Sequence, residues 1–198
     1  MQTVHASHLW RAMLPILALT LVPIDYARAD MYVFDSKRSE VRFSYVMGFA
    51  TQRGRFSRVE GDLQFDEHAP QKSQVFAKIA TASVETGQPI VDAKLMGVNF
   101  FNAKEQPLLT FRSRSVKPTA ADTAEITGDI TVNGITKPVT LDVTLTAHDN
   151  PALKYSAGSK EFIAKTKISR SAFKMDSYTD IVGDEIDIEI DAIVRPKR

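Results

Sequence analysis

Residues 128–146 read GDITVNGITKPVTLDVTLT, and this stretch decides the fold. Asn133-Gly134 separates two runs rich in Val, Ile and Thr. That pattern is typical of a two-residue β-hairpin, because both central residues of a type I′ turn need positive φ. In the second run, apolar residues alternate with polar ones from Val139 to Thr146. One apolar face and one polar face indicate a half-buried antiparallel strand.

A turn at Asn133-Gly134 also predicts the register of the hairpin, in which Ile130 faces Lys137. Directly opposed residues lie on the same face of a sheet, so Lys137 belongs to the apolar face near the turn. Two interpretations stay open. In one, the lysine extends out of the sheet end, or a bulge near Pro138 resets the register. In the other, Lys137 is a cation at the mouth of an apolar cavity.

Residues 1–29 are predicted to be a secretory signal peptide. Arg11 precedes an apolar run over 12–24, and Ala27-Arg28-Ala29 supplies a small-x-small cleavage site. The run is shorter than the roughly 20 apolar residues that a membrane-spanning helix needs. We therefore expect cleavage after Ala29, which leaves residues 30–198 as a single domain exported to the bacterial periplasm.

Composition narrows the class of protein further. The chain has 25 basic and 24 acidic residues, a formal net charge of +1 and no cysteine. Bulk charge of this size does not recruit nucleic acid. An exported domain without disulfides depends on its core for stability, and many periplasmic domains are of this kind.

The domain is predicted to be all-β. We expect eight to ten short strands with one brief helical segment near residues 89–102, which would cover an open end of the sheet. Such a series indicates an antiparallel sandwich or a barrel. Strands at both ends of the domain favour a barrel, because they could pair and remove exposed edges. The interior of an eight-stranded barrel holds side chains or one small ligand.

Residues that carry catalytic or metal chemistry are sparse. Residues 30–198 contain two histidines, His68 and His148, both in polar turn segments, and the chain has no cysteine. Zinc and copper sites need clustered His or Cys ligands, so no metal site is expected. No nucleophile elbow or phosphate-cradling loop is present. Ser169-Arg170-Ser171 has no base near it in sequence. We predict a protein that is not an enzyme and holds no cofactor.

The ordered set of motifs along the domain resembles the YceI-like family, exported lipocalin-like proteins that bind polyisoprenoids and other long amphiphiles. The motifs that carry the resemblance are VRF at 41–43, GRF at 54–56, GDLQFD at 61–66, VDAKL at 91–95, FFN at 100–102, GDITVNGITKPV at 128–139, SRSAF at 169–173 and VGDEI at 182–186. Two positions depart from the family pattern. Lys174 stands where a glycine is usual, and Met47-Gly48 where a histidine is frequent.

The resemblance implies an eight-stranded antiparallel lipocalin-like β-barrel with a long internal cavity. We therefore expect a periplasmic carrier of a long-chain lipid, with transient membrane contact and with the head group at the mouth of the barrel. Lys137 and Arg170 each continue an apolar parity to a strand end, and they are the candidate cations for an anionic head group. The candidate tail-binding residues are Phe43, Tyr45, Phe111, Ile130, Val132, Leu141, Val143, Phe162 and Ile168.

Alternation along the strands leaves other functions open, because it shows which face is buried and not whether the space behind that face is empty. A barrel filled by its own side chains would instead be a stress-response or protein-interaction module. An isomerase or hydrolase acting on a bound lipid would need a polar pair deep in the cavity. Whether the protein forms a homodimer also stays open. The volume of the interior separates the first two possibilities.

Overall fold

Eleven β-strands and one α-helix form the regular structure of residues 29–146 and 158–197, the parts of the chain that the computed structural model describes. The predicted signal peptide up to Arg28 and the predicted turn around His148 lie outside these ranges. The elements are β1 (Asp30–Phe34), β2 (Glu40–Met47), β3 (Ala50–Phe56), β4 (Val59–Phe65), β5 (Gln74–Ala80), β6 (Val84–Glu85), α1 (Pro89–Leu95), β7 (Leu108–Pro118), β8 (Thr123–Val132), β9 (Ile135–Thr146), β10 (Lys160–Ser169) and β11 (Glu185–Pro196).

Eight strands close into an antiparallel barrel. They follow one another in the order β1-β4-β5-β7-β8-β9-β10-β11, and β11 returns to β1, where Phe34 pairs with Val194. The hairpin of β2 and β3 extends the wall, because residues 187–191 of β11 pair with β2. Pairing of the first and last strands closes the barrel, and the pairing of β9 with β10 covers residues 142–146 and 161–165. The predicted all-β, eight-stranded antiparallel barrel is confirmed.

The hairpin of β8 and β9 has the predicted turn and register. Asn133 and Gly134 have φ values of 50° and 71°, as a type I′ turn requires. Ile130 pairs with Lys137, and Val132 pairs with Ile135. The outer face carries a ladder of threonines, whereas the inner face carries the branched apolar side chains.

No bulge resets the register of this hairpin. Pro138 pairs with Asp129, and the pairing continues without a break along β9. The irregularity in this part of the sheet lies in β7, between Ser113 and Ser115. The bulge interpretation of Lys137 is therefore wrong, and the residue does lie on the inward face.

Gly128 shows why a glycine interrupts an otherwise β-branched strand. A Cβ atom at this position would lie 2.6 Å from the ring of Phe111 and 2.4 Å from the carbonyl oxygen of Arg112. Real Cβ atoms do not approach other atoms so closely. The bare backbone at Gly128 therefore lets the aromatic ring lie across β8, inside the barrel.

The predicted helical segment closes the end of the barrel at which Asn133 and Gly134 lie. Helix α1 begins at Pro89, a residue suited to a first helical position, and the chain continues after Leu95 in turns. The N–H of Phe101 donates to the Leu95 carbonyl at 3.0 Å. Leu95 and Phe100 are both buried, so this connection contributes to the core. No helix in the described ranges is long and apolar enough to span a membrane.

Candidate functional site

One end of the barrel interior is packed with side chains. This filled end lies below the β8–β9 turn. Phe173, which is 2% exposed, enters it from a 3-10 helix over Ser171–Phe173. Its carbonyl accepts a hydrogen bond from Asn133 Nδ2 at 3.1 Å, which ties the hairpin to this insertion. The buried residues of the filled end are Val41, Phe43, Phe56, Val59, Ile79, Val84, Leu95, Phe100, Leu109, Val132, Phe173 and Met175.

The opposite end, near the β7–β8 connection over 119–122, holds a cavity of about 160 Å³. This is the open end. Three polar residues, Ser73, Asp122 and Thr123, are among the residues that line the cavity, and the rest of the lining is apolar. The lining residues on the strands include Phe65, Ala77, Phe111, Leu141, Val143, Phe162, Ala164, Ala192 and Val194.

The long cavity implied by the family resemblance is confined in this structure to the open end. A cavity of ~150 Å³ in another protein is large enough for benzene. A volume of about 160 Å³ therefore accommodates a short apolar segment and not a whole long chain. Ile130 and Ile190 pack against the clusters at both ends, and Val41, Val59 and Ile79 of the filled core also line the cavity. These five residues form the boundary between filled and hollow interior.

The predicted tail-binding residues divide between the two ends. All nine have the inward parity that the sequence predicts, but only some line the cavity at the open end. Four of them line the cavity: Phe111, Leu141, Val143 and Phe162. The other five belong to or pack against the filled core: Phe43, Tyr45, Ile130, Val132 and Ile168. Contact of any of these residues with a ligand stays a prediction.

Lys137 lies at the filled end and is exposed. It pairs with Ile130 two residues from the turn, so its side chain extends out of the sheet end. The cavity lies at the other end of the barrel, beyond the filled core. A cation at the cavity mouth, the second interpretation of Lys137, does not fit this placement.

Arg170 is buried, with 4% exposure, and its guanidinium group forms hydrogen bonds with backbone carbonyls. Its nitrogens donate to the carbonyl oxygens of Gly183 at 3.0 Å, Ser177 at 2.9 Å and Val182 at 2.8 Å, and also to that of Met175. These bonds fasten residues 175–183 to the end of β10. The structure therefore gives Arg170 a structural role at the filled end, and it does not bring Arg170 to the cavity.

A buried cation beside the cavity lining was not predicted from the sequence. Lys160 begins β10, pairs with Val194 and has the inward parity of Phe162. Its Nζ lies 5.4 Å from the ring centroid of Phe65, a cavity-lining residue, and forms an ion pair with Glu67. Extending the alternation of β10 by one step before Phe162 would have found it.

Two tyrosines near the interior stay neutral at physiological pH. Burial raises the pKa of Tyr45 at the filled end. Burial also raises the pKa of Tyr32, whose ring lies 5.8 Å from Lys160 Nζ, although the positive charge of that lysine opposes the shift. Neither hydroxyl is prepared to act as a base, because lowering and not raising the pKa would be needed for that.

The described residues show no assembled catalytic or metal centre. No group of three or more His, Asp or Glu side chains in the described ranges could hold a metal ion. Ser169 donates its hydroxyl proton to Asp184, which also accepts from the Ser171 N–H at 2.9 Å. Asp92 accepts from the N–H and the hydroxyl of Thr86, as a carboxylate near a helix start does. These contacts stabilise turns and helix ends.

The backbone conformation of Lys174 shows why the family pattern has a glycine at this position. Its φ of 58° places it in the left-handed region, at the end of the 3-10 helix that carries Phe173. Glycine adopts this conformation without strain, which accounts for a glycine at this place in the pattern. The departure concerns the insertion at the filled end and not the cavity.

Comparison with known proteins agrees with this architecture. The chain is 36% identical to the protein YceI of Escherichia coli O157:H7 over 183 residues, covering 88% of this chain and 94% of the relative. BcnA of Burkholderia cenocepacia has a similar fold, with a TM-score of 0.73 and 24% identity over 81% of this chain and 98% of that one. A polyisoprenoid-binding domain from Saccharophagus degradans gives a TM-score of 0.64 at 9% identity, over 84% of this chain and 98% of that one.

The two structures, at these identities, establish a shared fold and no more. The relationship itself comes from the sequence. The model of the YceI-like domain matches residues 32–194, which run from the first strand of the barrel to the last. Together with the E. coli relative, this match shows that the chain belongs to the YceI-like domain family.

Proposed function

We propose that this protein is a periplasmic carrier that binds one amphiphilic lipid by its tail, inside the open end of the barrel. The observation that carries the proposal is an apolar cavity within a closed barrel, at the open end. Small interior residues such as Ala77, Ala164 and Ala192 help to leave this space. The predicted signal peptide supports the periplasmic location.

A polyisoprenoid is the tail that the comparison with the Saccharophagus degradans domain suggests. Because the cavity holds only a short segment, a long tail would either extend through the mouth at the β7–β8 connection or displace the side chains at the boundary. Ile130 and Ile190 are among the side chains that would have to move. The proposal therefore includes a repacking of this boundary when a long tail enters.

Selectivity in such a carrier depends on shape and head group. Burying an apolar tail from water yields roughly 0.8 kcal/mol per CH₂ group. A tail taken from a bilayer is already out of water, so its transfer into the barrel is close to neutral. The fit of the cavity and the contacts of the head group then determine which lipid is held. No bond is made or broken in this function, and we propose binding without catalysis.

The alternative function, a filled barrel that acts only through its outer surface, is favoured by the packed half of the interior. It requires that the open end also exclude ligands. The two functions therefore differ in one measurable property, which is whether an apolar molecule enters the cavity.

A substitution that fills the cavity tests the proposal. Ala164 lines the cavity and is 6% exposed, so Ala164→Phe places a ring in the empty space. We expect the affinity for a neutral fluorescent lipid, the methyl ester of cis-parinaric acid, to fall about tenfold or more. Ala93→Phe adds the same ring to the exposed face of α1 and serves as the control. Unchanged binding in a folded Ala164→Phe variant would place the lipid elsewhere.

The native cargo is tested on protein purified from a periplasmic fraction. Organic extraction followed by mass spectrometry should find a long-chain lipid in stoichiometric amount with wild-type protein and much less with Ala164→Phe. Protein that carries no lipid and binds no supplied ester would favour the filled-barrel alternative.

A further inference from the structure

Lys160 is an ammonium group in an unusual position at the open end. Its side chain is 9% exposed, and its Nζ lies 5.4 Å and 5.8 Å from the ring centroids of Phe65 and Tyr32. Aromatic faces attract a cation, but they do not replace its hydration. A buried ammonium group therefore needs an anionic partner, because an unpaired charge is costly away from water.

The anionic partner of Lys160 is Glu67, and the two members of the pair are buried to different extents. The Lys160 side chain is almost fully buried, whereas the Glu67 side chain is 53% exposed. A carboxylate that is half in water can leave the pair and be solvated at little cost. The ammonium cannot do so, and it would retain its need for an anion. The pair is therefore built so that Glu67, and not Lys160, is exchangeable.

The loop that carries Glu67 is fixed beside the cavity. The Asp66 carboxylate accepts hydrogen bonds from the N–H groups of His68 at 3.0 Å and Ala69 at 2.8 Å. The N–H of Asp66 donates to Ser73 Oγ at 3.1 Å. Pro70 and Ser73 line the cavity, so the loop forms part of its wall. Glu67 is thus presented to Lys160 by a held backbone.

We infer that Lys160 binds the anionic head group, a carboxylate or phosphate, of the amphiphile whose tail occupies the cavity. Glu67 takes the place of that anion in the empty protein and is displaced when the ligand enters. This inference rests on the proposed function and adds the head-group chemistry to it. It moves the predicted head-group site from the filled end, where Lys137 and Arg170 lie, to the open end.

The experiment compares two probes that share a tail and differ in charge, cis-parinaric acid and its methyl ester. Lys160→Met keeps the length of the side chain and removes the charge. We expect it to lower the affinity for the acid about tenfold or more and to leave the affinity for the ester unchanged. Lys165→Met, an exposed outward-facing lysine on the same strand, should change neither affinity.

Glu67→Gln is a second variant, at a half-exposed position. It tests the inference even if the Lys160→Met protein does not fold. Removing the competing carboxylate should raise the affinity for the acid several-fold, about threefold to tenfold. Because binding to the folded state raises the unfolding temperature, the acid should also raise it more in Glu67→Gln than in the wild type. The ester should raise it equally in both proteins.

The remaining outcomes test whether the anion belongs to a lipid, whether Lys160 binds it, and whether the protein binds lipid at all. Acetate and inorganic phosphate should not compete with parinaric acid; competition by either would mean a site for free anions and would overturn the inference. Equal loss of acid and ester binding in Lys160→Met would make Lys160 structural. Loss of acid preference in Lys137→Met instead would place the head group at the filled end. Wild-type protein that bound neither probe would contradict the proposed function itself.

Discussion

The two ends of the barrel share the same strands and the same alternation of side chains, yet one end is filled and the other is hollow. On β10 the small inward residue Ala164 borders the cavity, whereas the larger Ile168 packs against the filled core. There, Phe100 and Phe173 also enter from segments outside the strands. Hollow space therefore depends on the sizes of inward side chains and on inserted segments, and not on the alternation itself.

The largest expected effect is the loss of stability when a leucine of the filled end is truncated, compared with a matched leucine at the open end. Leu109 and Leu141 are both 6% exposed, but Leu109 lies in the filled core, whereas Leu141 borders the cavity. Leu→Ala removes more contacts where every side of the leucine is packed. We expect Leu109→Ala to lower the free energy of unfolding by about 4–5 kcal/mol, and Leu141→Ala by about 2–3 kcal/mol. Urea unfolding measures both.

Equal losses for these two leucines would contradict the distinction between the ends. Affinity for the methyl ester of cis-parinaric acid gives a second comparison of the same two variants. Leu141→Ala enlarges the cavity and should change ester affinity, whereas Leu109→Ala should leave it within about twofold of the wild type.

The next effect concerns the attachment of the insertion at the filled end. Arg170→Met leaves the carbonyls of Met175, Ser177, Val182 and Gly183 without their donor. Hydrogen bonds to charged groups are worth about 1.5–3 kcal/mol each and do not add fully, so we expect a loss of about 3 kcal/mol in the free energy of unfolding. Arg53→Met, at an exposed position of β3, is the control and should cost less than about 0.5 kcal/mol.

Arg170→Met also separates the structural role from the head-group role that the sequence suggested. If the guanidinium only fastens residues 175–183, the ratio of acid to ester affinity stays at the wild-type value in the folded variant. A change in that ratio without a loss of stability would restore Arg170 as a head-group ligand.

The sequence predicted the barrel, the hairpin register and the inward face correctly, because these depend on local alternation and on a turn with a clear signature. The occupancy of the interior could not be predicted, since Phe100 and Phe173 reach the core from segments distant in sequence. The head-group role of Arg170 stays a prediction. Its burial could not be read from the sequence, because β10 ends at Ser169 and strand parity loses its meaning where the chain turns into a 3-10 helix. Lys160 was missed because the alternation of β10 was followed only from Phe162, although the strand already begins at Lys160.

The smallest expected effect is a pH dependence at the filled end. Hydrogen bonds from the Ser169 hydroxyl and the Ser171 N–H, with the nearby charge of Arg170, hold the pKa of Asp184 below its ordinary value. A carboxyl group with a lowered pKa in the folded state stabilises that state above the unfolded pKa of about 3.9. This contribution is lost as the pH falls through the lower pKa of the folded state.

Asp184→Asn removes the charge and retains a side chain of the same shape. Because Asp184 is largely exposed, solvent screening limits the expected loss at pH 7 to about 1 kcal/mol or less. The difference from wild type should shrink as the pH falls below about 4 and vanish once the wild-type carboxyl is protonated. Urea unfolding at a series of pH values measures it, with Asp180→Asn in the neighbouring loop as the control. A difference that stayed constant down to pH values well below that range would show that the charge of Asp184 is not what holds the insertion in place at the filled end.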